Sequence, residues 1–328
     1  MTADPPVTWL LCDDRAGNRS QCNGVAAALG WPCEVKEIRY TALAKLPNAL
    51  LRAGLWGVEV ESKQAINPPW PGLVIAAGRR TAPIAQWIKK QNFGNTRIVQ
   101  IMHPGGSGIE AFDLVVVPEH DDHAPLRNGL SITGAPHAIT GERLATEKTK
   151  WEKTFRHLPG PKIALIVGGS TKNRTFTPAM AQELGRKASN MASEAGGSLL
   201  ISTSRRTGES AQQALLGEIK VPSFNYNWGD GGENPYFGFL SSADGVIVTG
   251  DSMSMCSEAC ATTGPVYIYA PDGLITRKHA RLHASLYQHG YARPLADLFE
   301  DWQHAPLNPA NDIAAAIHNL LVSEQEPS

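Results

Sequence analysis

The sequence lacks an excess of charge of either sign. Its 30 basic and 31 acidic residues leave a formal net charge of −1. Proteins that collect nucleic acid through their overall field are strongly basic, so this balance predicts that no nucleic acid is bound. No stretch approaches the ~20 apolar residues of a transmembrane helix, and the N-terminus lacks the pattern of a signal peptide. These absences predict a cytoplasmic protein and leave peripheral contact with the inner face of a membrane open.

The sequence also lacks the cysteine patterns of disulfide-rich and zinc-binding proteins. It has 5 cysteines, an odd count, and none of them forms a Cys-x-x-Cys pair. In a chain of 328 residues this pattern predicts buried free thiols in a reducing compartment. We therefore predict no metal site and no cofactor.

Short apolar runs alternate with helical patterns along the chain. Continuous apolar runs are typical of parallel strands that are buried on both faces. Strand–helix alternation predicts an α/β fold, and here two doubly wound, Rossmann-like open parallel-sheet domains that face a cleft. The Pro-Gly-Pro at 159–161 predicts domains 1–158 and 159–328, with the last helix free to pack back on the first domain. Ten strands are predicted, at 7–12, 33–38, 72–77, 96–101, 113–118, 162–167, 198–203, 222–226, 245–249 and 265–269.

Two loops of the second half have the composition of an anion site. Both follow predicted strands, and ligands of open α/β sheets bind at the carboxyl ends of strands. Glycines allow close approach of the backbone, hydroxyls and amides donate hydrogen bonds, and guanidinium groups fit phosphate oxygens. A plain turn and a solvated loop are the alternatives. The first loop, "VGGSTKNRTF", contributes Gly168, Gly169, Ser170, Lys172 and Arg174, and the second, "TSRRTG", contributes Ser204, Arg205 and Arg206.

The stretch "TGDSMSMCSEAC" adds hydroxyls and carboxylates where another strand ends and a helix begins. With Asp251 or Ser252 as the N-cap, a helical wheel places Ser254, Ser257 and Glu258 on a polar face, with Ser254 and Glu258 adjacent. Ser252 and Ser254 suit phosphate oxygens, and Glu258 suits the two hydroxyls of a ribose. The preceding aromatic loop, with Trp228, Tyr236 and Phe237, suits a flat base. The alternatives are an ordinary capped surface helix and aromatics that pack on the core.

These motifs resemble a known family. The pieces "DDRAGNRSQCNGVAAALG", "AAGRRTAPIA", "VGGSTKN", "STSRRTG" and "ENPYFGFLSSADGVIVTGDSMSMCSEA" span most of the chain in order. They are similar to the mitochondrial-fission elongated-mitochondria family, whose bacterial members are GT-B-like. The resemblance implies a GT-B glycosyltransferase fold, with Glu258 on the ribose and Gly169, Ser170, Ser252 and Ser254 around the diphosphate. The chain departs from the family pattern in the first loop, where it has Gly17-Asn18 in place of Gly-His.

Glycosyl transfer requires a base for the acceptor hydroxyl, and the first half has to supply it. The candidates are Asp14, His103, His120 and Asp121, each after a predicted strand. The cluster "EHDDH" could also bind a divalent ion or be a solvated acidic turn. Arg79 and Arg80, after the third strand, predict either an anion site or a buried ion pair.

The expected function is a metal-independent transfer of sugar from a nucleoside-diphosphate sugar, with UDP as the first choice of nucleotide. The acceptor is unknown, with a lipid-linked molecule and a saccharide both in view. Two alternatives remain. One is a nucleotide-sugar epimerase or hydrolase on the same fold, and the other is a non-catalytic fission-type interaction protein that retains the fold.

Overall fold

The computed structural model describes residues 4–106 and 108–322, without the Ala16 side chain. The chain forms two compact units: unit 1 is Met1–Ala138 with Asn308–Ser328, and unit 2 is Ile139–Leu307. The first boundary therefore falls at 138/139, whereas the sequence pointed to 158/159. The reason is a helix at Gly141–Phe155 whose apolar side chains, Phe155 among them, pack in the core of unit 2. Pro-Gly-Pro follows this helix closely but does not divide the units.

Unit 1 contains one parallel sheet of six strands in the order β2-β1-β3-β4-β5-β6. Its first five strands have the flavodoxin-like order, in which the strand order reverses between β1 and β3. We call that position the switch point of unit 1, because ligands of such sheets bind there, outside the carboxyl ends of the strands. The strands are β1 (Thr8–Cys12), β2 (Cys33–Glu37), β3 (Leu73–Ala77), β4 (Arg97–Ile101), β5 (Leu114–Pro118) and β6 (Gly129–Ile132).

Helices cover both faces of this sheet. On one face Ile313 and Ile317 of the last helix pack with Val25 of the first helix in one buried cluster. On the other face Ile84 and Ile88 pack with the alternate side chains of the strands. The helices of unit 1 are α1 (Ala16–Leu29), α2 (Asn48–Leu51), α3 (Val60–Gln64), α4 (Ala82–Gln91) and α11 (Pro309–Val322).

Unit 2 contains a second parallel sheet of six strands in the order β12-β11-β10-β7-β8-β9. Counted within the unit this is the dinucleotide-binding order 3-2-1-4-5-6, which reverses between its first and fourth strands, β7 and β10. That position is the switch point of unit 2. The strands are β7 (Lys162–Val167), β8 (Ser198–Thr203), β9 (Ser223–Tyr226), β10 (Gly245–Thr249), β11 (Val266–Tyr269) and β12 (Arg293–Pro294).

The helices of unit 2 also pack on both faces of their sheet, in two apolar clusters. All ten predicted strands are present. The two strands that the sequence did not reveal are β6, which is short and half-exposed, and β12, which has two residues. No helix of the described ranges is long and apolar enough to cross a membrane. The helices of unit 2 are α5 (Gly141–Phe155), α6 (Pro178–Glu194), α7 (Glu209–Gly217), α8 (Tyr236–Ser242), α9 (Met253–Ala259) and α10 (Arg277–Gln288).

Candidate functional site

The switch point of unit 2 is organised by the buried carboxylate of Asp251. This residue follows β10, and its Oδ2 accepts a hydrogen bond of 2.9 Å from the amide of Gly169, which follows β7. The same oxygen lies 2.7 Å from Nη1 of Arg206, which follows β8. One carboxylate thus connects the ends of three neighbouring strands. The loops that the sequence indicated do converge at one edge of the sheet.

The amides of the glycine loop are already used within the protein. Gly168 donates to Oγ1 of Thr249 at 2.7 Å, and Ser170 donates to the carbonyl of Arg206 at 2.8 Å. The idea that these amides are open to a phosphate is therefore wrong. Gly169 has φ +145, and a Cβ there would lie 2.1 Å from the carbonyl of Arg206. Glycine is needed at this position so that two loops can meet.

Several predicted ligands hold the loops together. Asp251 and Arg206 neutralise one another, and an acidic side chain would repel a phosphate. The hydroxyl of Ser204 donates to the carbonyl of Gly168 at 2.6 Å. The hydroxyl of Ser170 accepts from the amide of Phe176 at 3.0 Å. These residues shape the site, and in this arrangement their polar groups are occupied.

Three other cationic side chains at the same edge are not paired within the described residues. Lys172 and Arg174 extend from the loop after β7, and Arg205 extends from the loop after β8. All three side chains are exposed, and none forms a hydrogen bond or ion pair with the part of the chain that the structure describes. With Asp251 and Arg206 cancelling, the loops after β7 and β8 retain a surplus of positive charge. Such an edge attracts anions.

The helix after β10 begins as predicted from its sequence. Ser252 is the N-cap of α9, and its Oγ accepts from the amide of Met255 at 3.4 Å. Ser254 is half-buried, and its hydroxyl forms no hydrogen bond with the described residues. Ser257 differs from the prediction of a polar face, because it is fully buried and donates to the carbonyl of Met253 at 2.8 Å.

Glu258 lies half-buried in the second turn of α9. Its Oε2 accepts a hydrogen bond of 2.6 Å from the phenol of Tyr236 at the start of α8. Burial raises the pKa of Glu258, while the bond from Tyr236 and the charge of Arg143 on α5 act to lower it. A carboxylate offers about four acceptor positions, so one bond leaves most of them available. Glu258 thus presents a carboxylate that can accept further hydrogen bonds.

The aromatic residues of the loop before α8 and of its first turn differ in their burial. Tyr236 and Phe237 pack against a buried cluster, and the guanidinium of Arg143 lies 3.7 Å from the centre of the Phe237 ring. Trp228 remains 63% exposed. The alternative in which aromatics pack on the core therefore holds for two residues, and Trp228 is the one with a free face.

The switch point of unit 1 is also organised by a buried aspartate. Asp13, after β1, accepts from Nη2 of Arg80 at 2.8 Å and from Nδ2 of Asn18 at 3.0 Å. Arg80, after β3, also contacts Asp14. Arg79 donates to the carbonyls of Leu46 and Ala44 and to Oδ1 of Asn48. The alternative of an ion pair thus describes Arg80, and neither arginine is available to a ligand as it stands.

The other catalytic candidates lie after β4 and β5 of unit 1. The ring of His103 stacks on that of His123 with centroids 4.1 Å apart, and its Nδ1 accepts from the amide of Gly105. Burial and the neighbouring His123 lower the pKa of His103. His120 is buried, with Nε2 3.8 Å from Asp121. No three metal-ligating side chains come together anywhere in residues 4–106 and 108–322.

Comparison with protein families decides the membership of the chain. The model of the mitochondrial fission ELM1 family matches residues 16–321. The chain belongs to this family. Its relatives include the uncharacterized protein RP120 of Rickettsia prowazekii, 30% identical over 95% of this chain and 98% of the relative. They also include the mitochondrial fission protein ELM1 of Arabidopsis thaliana, 29% identical over 84% of this chain and 70% of the relative.

The fold of this ELM1-family chain is similar to those of solved GT-B glycosyltransferases and UDP-GlcNAc 2-epimerases. MurG of Acinetobacter baumannii matches with a TM-score of 0.50 and 13% identity over 97% of this chain and 93% of MurG. The UDP-GlcNAc 2-epimerase of Neisseria meningitidis, solved with UDP-GlcNAc bound, matches with a TM-score of 0.52 and 12% identity over 96% and 99%. At such identities the likeness establishes the fold alone.

Sequence reasoning missed two groups of residues in this ELM1-family site. Arg143 was assigned to the first half, so its approach to Glu258 could not be foreseen. His283 of α10 is buried and donates from Nε2 to the carbonyl of Gly250 at 3.0 Å, and burial lowers its pKa to about 4. His279 is also buried, and this burial lowers its pKa, while the charge of Asp251 acts to raise it and that of Arg206 to lower it. The sequence "RKHARLH" carried a signal for both histidines, since their spacing of four places them on one helix face.

Proposed function

We propose that this protein transfers a sugar from a nucleoside-diphosphate sugar to an acceptor hydroxyl, with the nucleotide bound at the switch point of unit 2. UDP is the nucleotide that we propose first, and the acceptor is a lipid-linked molecule or a saccharide. Family membership and the GT-B fold support the class of reaction. The donor and the transfer itself are our inference from the residues at this edge.

The observation that carries the proposal is the environment of Glu258. Glu258 is a half-buried carboxylate whose pKa burial raises, so further hydrogen-bond donors from a ligand would stabilise its charged form. The two hydroxyls of a ribose supply donors with the spacing of the two carboxylate oxygens. Tyr236 fixes the orientation of the carboxylate, and Arg143 contributes positive charge nearby.

The diphosphate fits the unoccupied groups between Glu258 and the strand ends. Lys172, Arg174 and Arg205 supply exposed positive charge, and Ser254 supplies a free hydroxyl. Positive side chains stabilise the charge that develops on a leaving diphosphate, which is the role that a metal ion has in other transferases. We therefore propose a reaction without a metal.

For the general base we propose Asp14 of unit 1. Its side chain is 70% exposed, and only one of its oxygens contacts Arg80. His103 is less suited, because Nδ1 accepts the Gly105 amide and the neutral ring then carries its proton on Nε2. His120 and Asp121 are mostly buried. Loss of a general base lowers kcat by about 10²- to 10⁴-fold, which is the effect expected for Asp14→Asn.

Thermal unfolding with and without UDP tests the nucleotide site. A ligand at 100 times its Kd stabilises the folded protein by ~2.7 kcal/mol, which raises the Tm of a domain of this size by several degrees. We expect this rise in the wild type and in the control Glu152→Gln, an exposed glutamate of α5. Glu258→Gln should lose most of it. No rise with any nucleoside diphosphate in the wild type would refute the proposal.

A second candidate is a sugar-nucleotide epimerase, favoured by the solved UDP-GlcNAc 2-epimerases among the structural neighbours. It uses the same nucleotide site but needs no acceptor. Incubation with a nucleotide sugar alone separates the two, because an epimerase or hydrolase converts it and a transferase requires an acceptor.

The third candidate is a protein that binds partners without catalysis, which the name of the Arabidopsis relative brings into view. Under that reading, Glu258→Gln leaves the cellular phenotype of the protein intact.

A further inference from the structure

Unit 1 displays a cluster of exposed apolar side chains after β2. Leu43, Leu46, Leu50 and Trp56 are 51%, 40%, 68% and 73% exposed. We call these four residues the apolar platform. Single exposed apolar residues are common and need no explanation, but several within a short stretch of chain mark an interaction site.

The platform is one surface because its backbone segments lie against each other. The amide of Thr41 donates to the carbonyl of Gly57 at 2.9 Å. Gly57 has φ +84, and a Cβ there would lie 2.6 Å from the backbone nitrogen of Ala44. The segment of Leu43 therefore runs directly beside that of Trp56. Leu46 and Leu50 lie on the turn and short helix between them.

The platform is also held in place by buried polar contacts. The guanidinium of Arg79 donates to the carbonyls of Ala44 and Leu46, and the amide of Asn48 donates to the carbonyls of Arg79 and Pro104. Asn48 is only 9% exposed. These contacts attach the platform to the loops after β3 and β4. The backbone that carries these exposed apolar side chains is therefore held in place, whereas a loose loop could fold them inward.

The segment that carries the platform is basic. Residues 38–58 contain Arg39, Lys45 and Arg52 and no acidic residue, although the whole chain has a net charge of −1 and Glu37 and Glu59 flank the segment. All three cations are exposed, and none forms an ion pair with the described residues. A leucine and tryptophan surface with cations beside it matches the interface of an anionic bilayer. We propose that the apolar platform docks unit 1 on a membrane surface that contains anionic lipids.

Docking would bring the carboxyl edge of the unit 1 sheet towards the lipid headgroups, because Arg79 and Pro104 lie on that edge. Asp14 lies on the same edge. A lipid-linked acceptor is then the acceptor class that fits best, and this consequence rests on the proposed transfer. The docking surface itself is independent of the nucleotide site.

The test is co-sedimentation of the full chain with phosphatidylcholine vesicles, with and without phosphatidylglycerol. We expect the wild type to bind the anionic vesicles, less strongly as salt increases. Leu50→Ser/Trp56→Ser should lower the partition coefficient by about a hundredfold. Lys45→Gln/Arg52→Gln should lower it about fivefold for each charge removed. Phe93→Ser is the matched control, since Phe93 is 93% exposed at the opposite edge of the sheet, before β4.

Failure of this inference is distinguishable from failure of the proposed function. Circular dichroism checks that each variant is folded, and the thermal response to UDP should be the same in all of them. The inference is overturned if the wild type does not bind anionic vesicles or if Phe93→Ser weakens binding equally. It is also overturned if the wild type self-associates in sedimentation velocity and Leu50→Ser/Trp56→Ser abolishes that state, because the platform is then an interface between copies.

Discussion

The two units connect the ends of their strands with the same pair of residue types, but the charges beside the two pairs differ. At each switch point a buried aspartate joins the ends of neighbouring strands and pairs with an arginine, Asp13 with Arg80 and Asp251 with Arg206. In unit 1 a second aspartate, Asp14, also contacts the arginine. In unit 2 three exposed cations, Lys172, Arg174 and Arg205, lie on the loops that the pair connects. Unit 1 therefore adds a carboxylate to its pair, whereas unit 2 adds cations.

This difference teaches that composition alone does not identify an anion site. Both edges carry glycine and paired arginines in sequence, and both were read as anion sites with alternatives. What separates them is the number of charges that remain after the internal pairs are formed. The side chains of Arg79 and Arg80 bond to groups within the protein. Those of Lys172, Arg174 and Arg205 form no such bond with the described residues.

The largest expected effect is the loss of stability when either of the two buried aspartates is replaced. Asp251→Ala leaves Arg206 partly buried without a carboxylate and leaves the Gly169 amide without an acceptor. Losing one partner of a buried pair costs about 3–5 kcal/mol of the free energy of unfolding. Asp13→Ala should cost less, because Asp14 can still pair with Arg80. Chemical denaturation measures both, with the exposed Asp272→Ala as control. Equal losses in the two variants would contradict the asymmetry.

The next effect concerns acid stability, which we expect to depend on unit 2. Burial lowers the pKa of His283 from 6.5 to about 4. In the unfolded chain this histidine binds its proton first as the pH falls, so stability is full above pH 6.5 and is lost towards pH 4. The free energy of unfolding falls by about 3 kcal/mol, because each unit of the difference in pKa corresponds to 1.36 kcal/mol. Tm measured across this window should fall steeply in the wild type, and His283→Gln should flatten the curve. An unchanged slope in the variant would exclude His283 as the cause.

The smallest expected effect distinguishes the unpaired Arg205 from the paired Arg80 by nucleotide affinity and stability. Arg205→Gln should weaken UDP binding about tenfold, as expected for one lost phosphate contact, and should change stability by less than ~0.5 kcal/mol. Arg80→Gln should do the reverse, because its ion pairs stabilise unit 1 and it lies outside the nucleotide site. Calorimetric titration and denaturation of the same two samples report both quantities. The comparison fails if both variants lose nucleotide affinity equally.

Much of the fold was predictable because its periodicity is strong. Several of the ten predicted strands are continuous apolar runs such as "KIALIV", a pattern typical of strands buried on both faces. The platform segment was not foreseen, because α2 and α3 have four and five residues and no periodicity of their own. The position of α2 depends on the distant side chain of Arg79, which donates to Oδ1 of Asn48.

The residues of the candidate site could be proposed from the sequence, but their contacts could not. The sequence singled out Glu258, Ser252 and the cationic loops as ligands, and this stays a prediction. It could not show that the Gly168 and Gly169 amides are consumed, because their acceptors come from Thr249 and Asp251, more than 80 residues away. Nor could it show that Tyr236 donates to Glu258. Hydrogen-bond satisfaction depends on tertiary contacts that a local pattern does not contain.

A crystal structure of the protein with UDP tests the central claim most directly. The account predicts both hydroxyls of the ribose within hydrogen-bond distance of the Glu258 carboxylate, with the diphosphate beside Lys172, Arg174 and Arg205. UDP bound elsewhere, with Glu258 still bonded only to Tyr236, would contradict it.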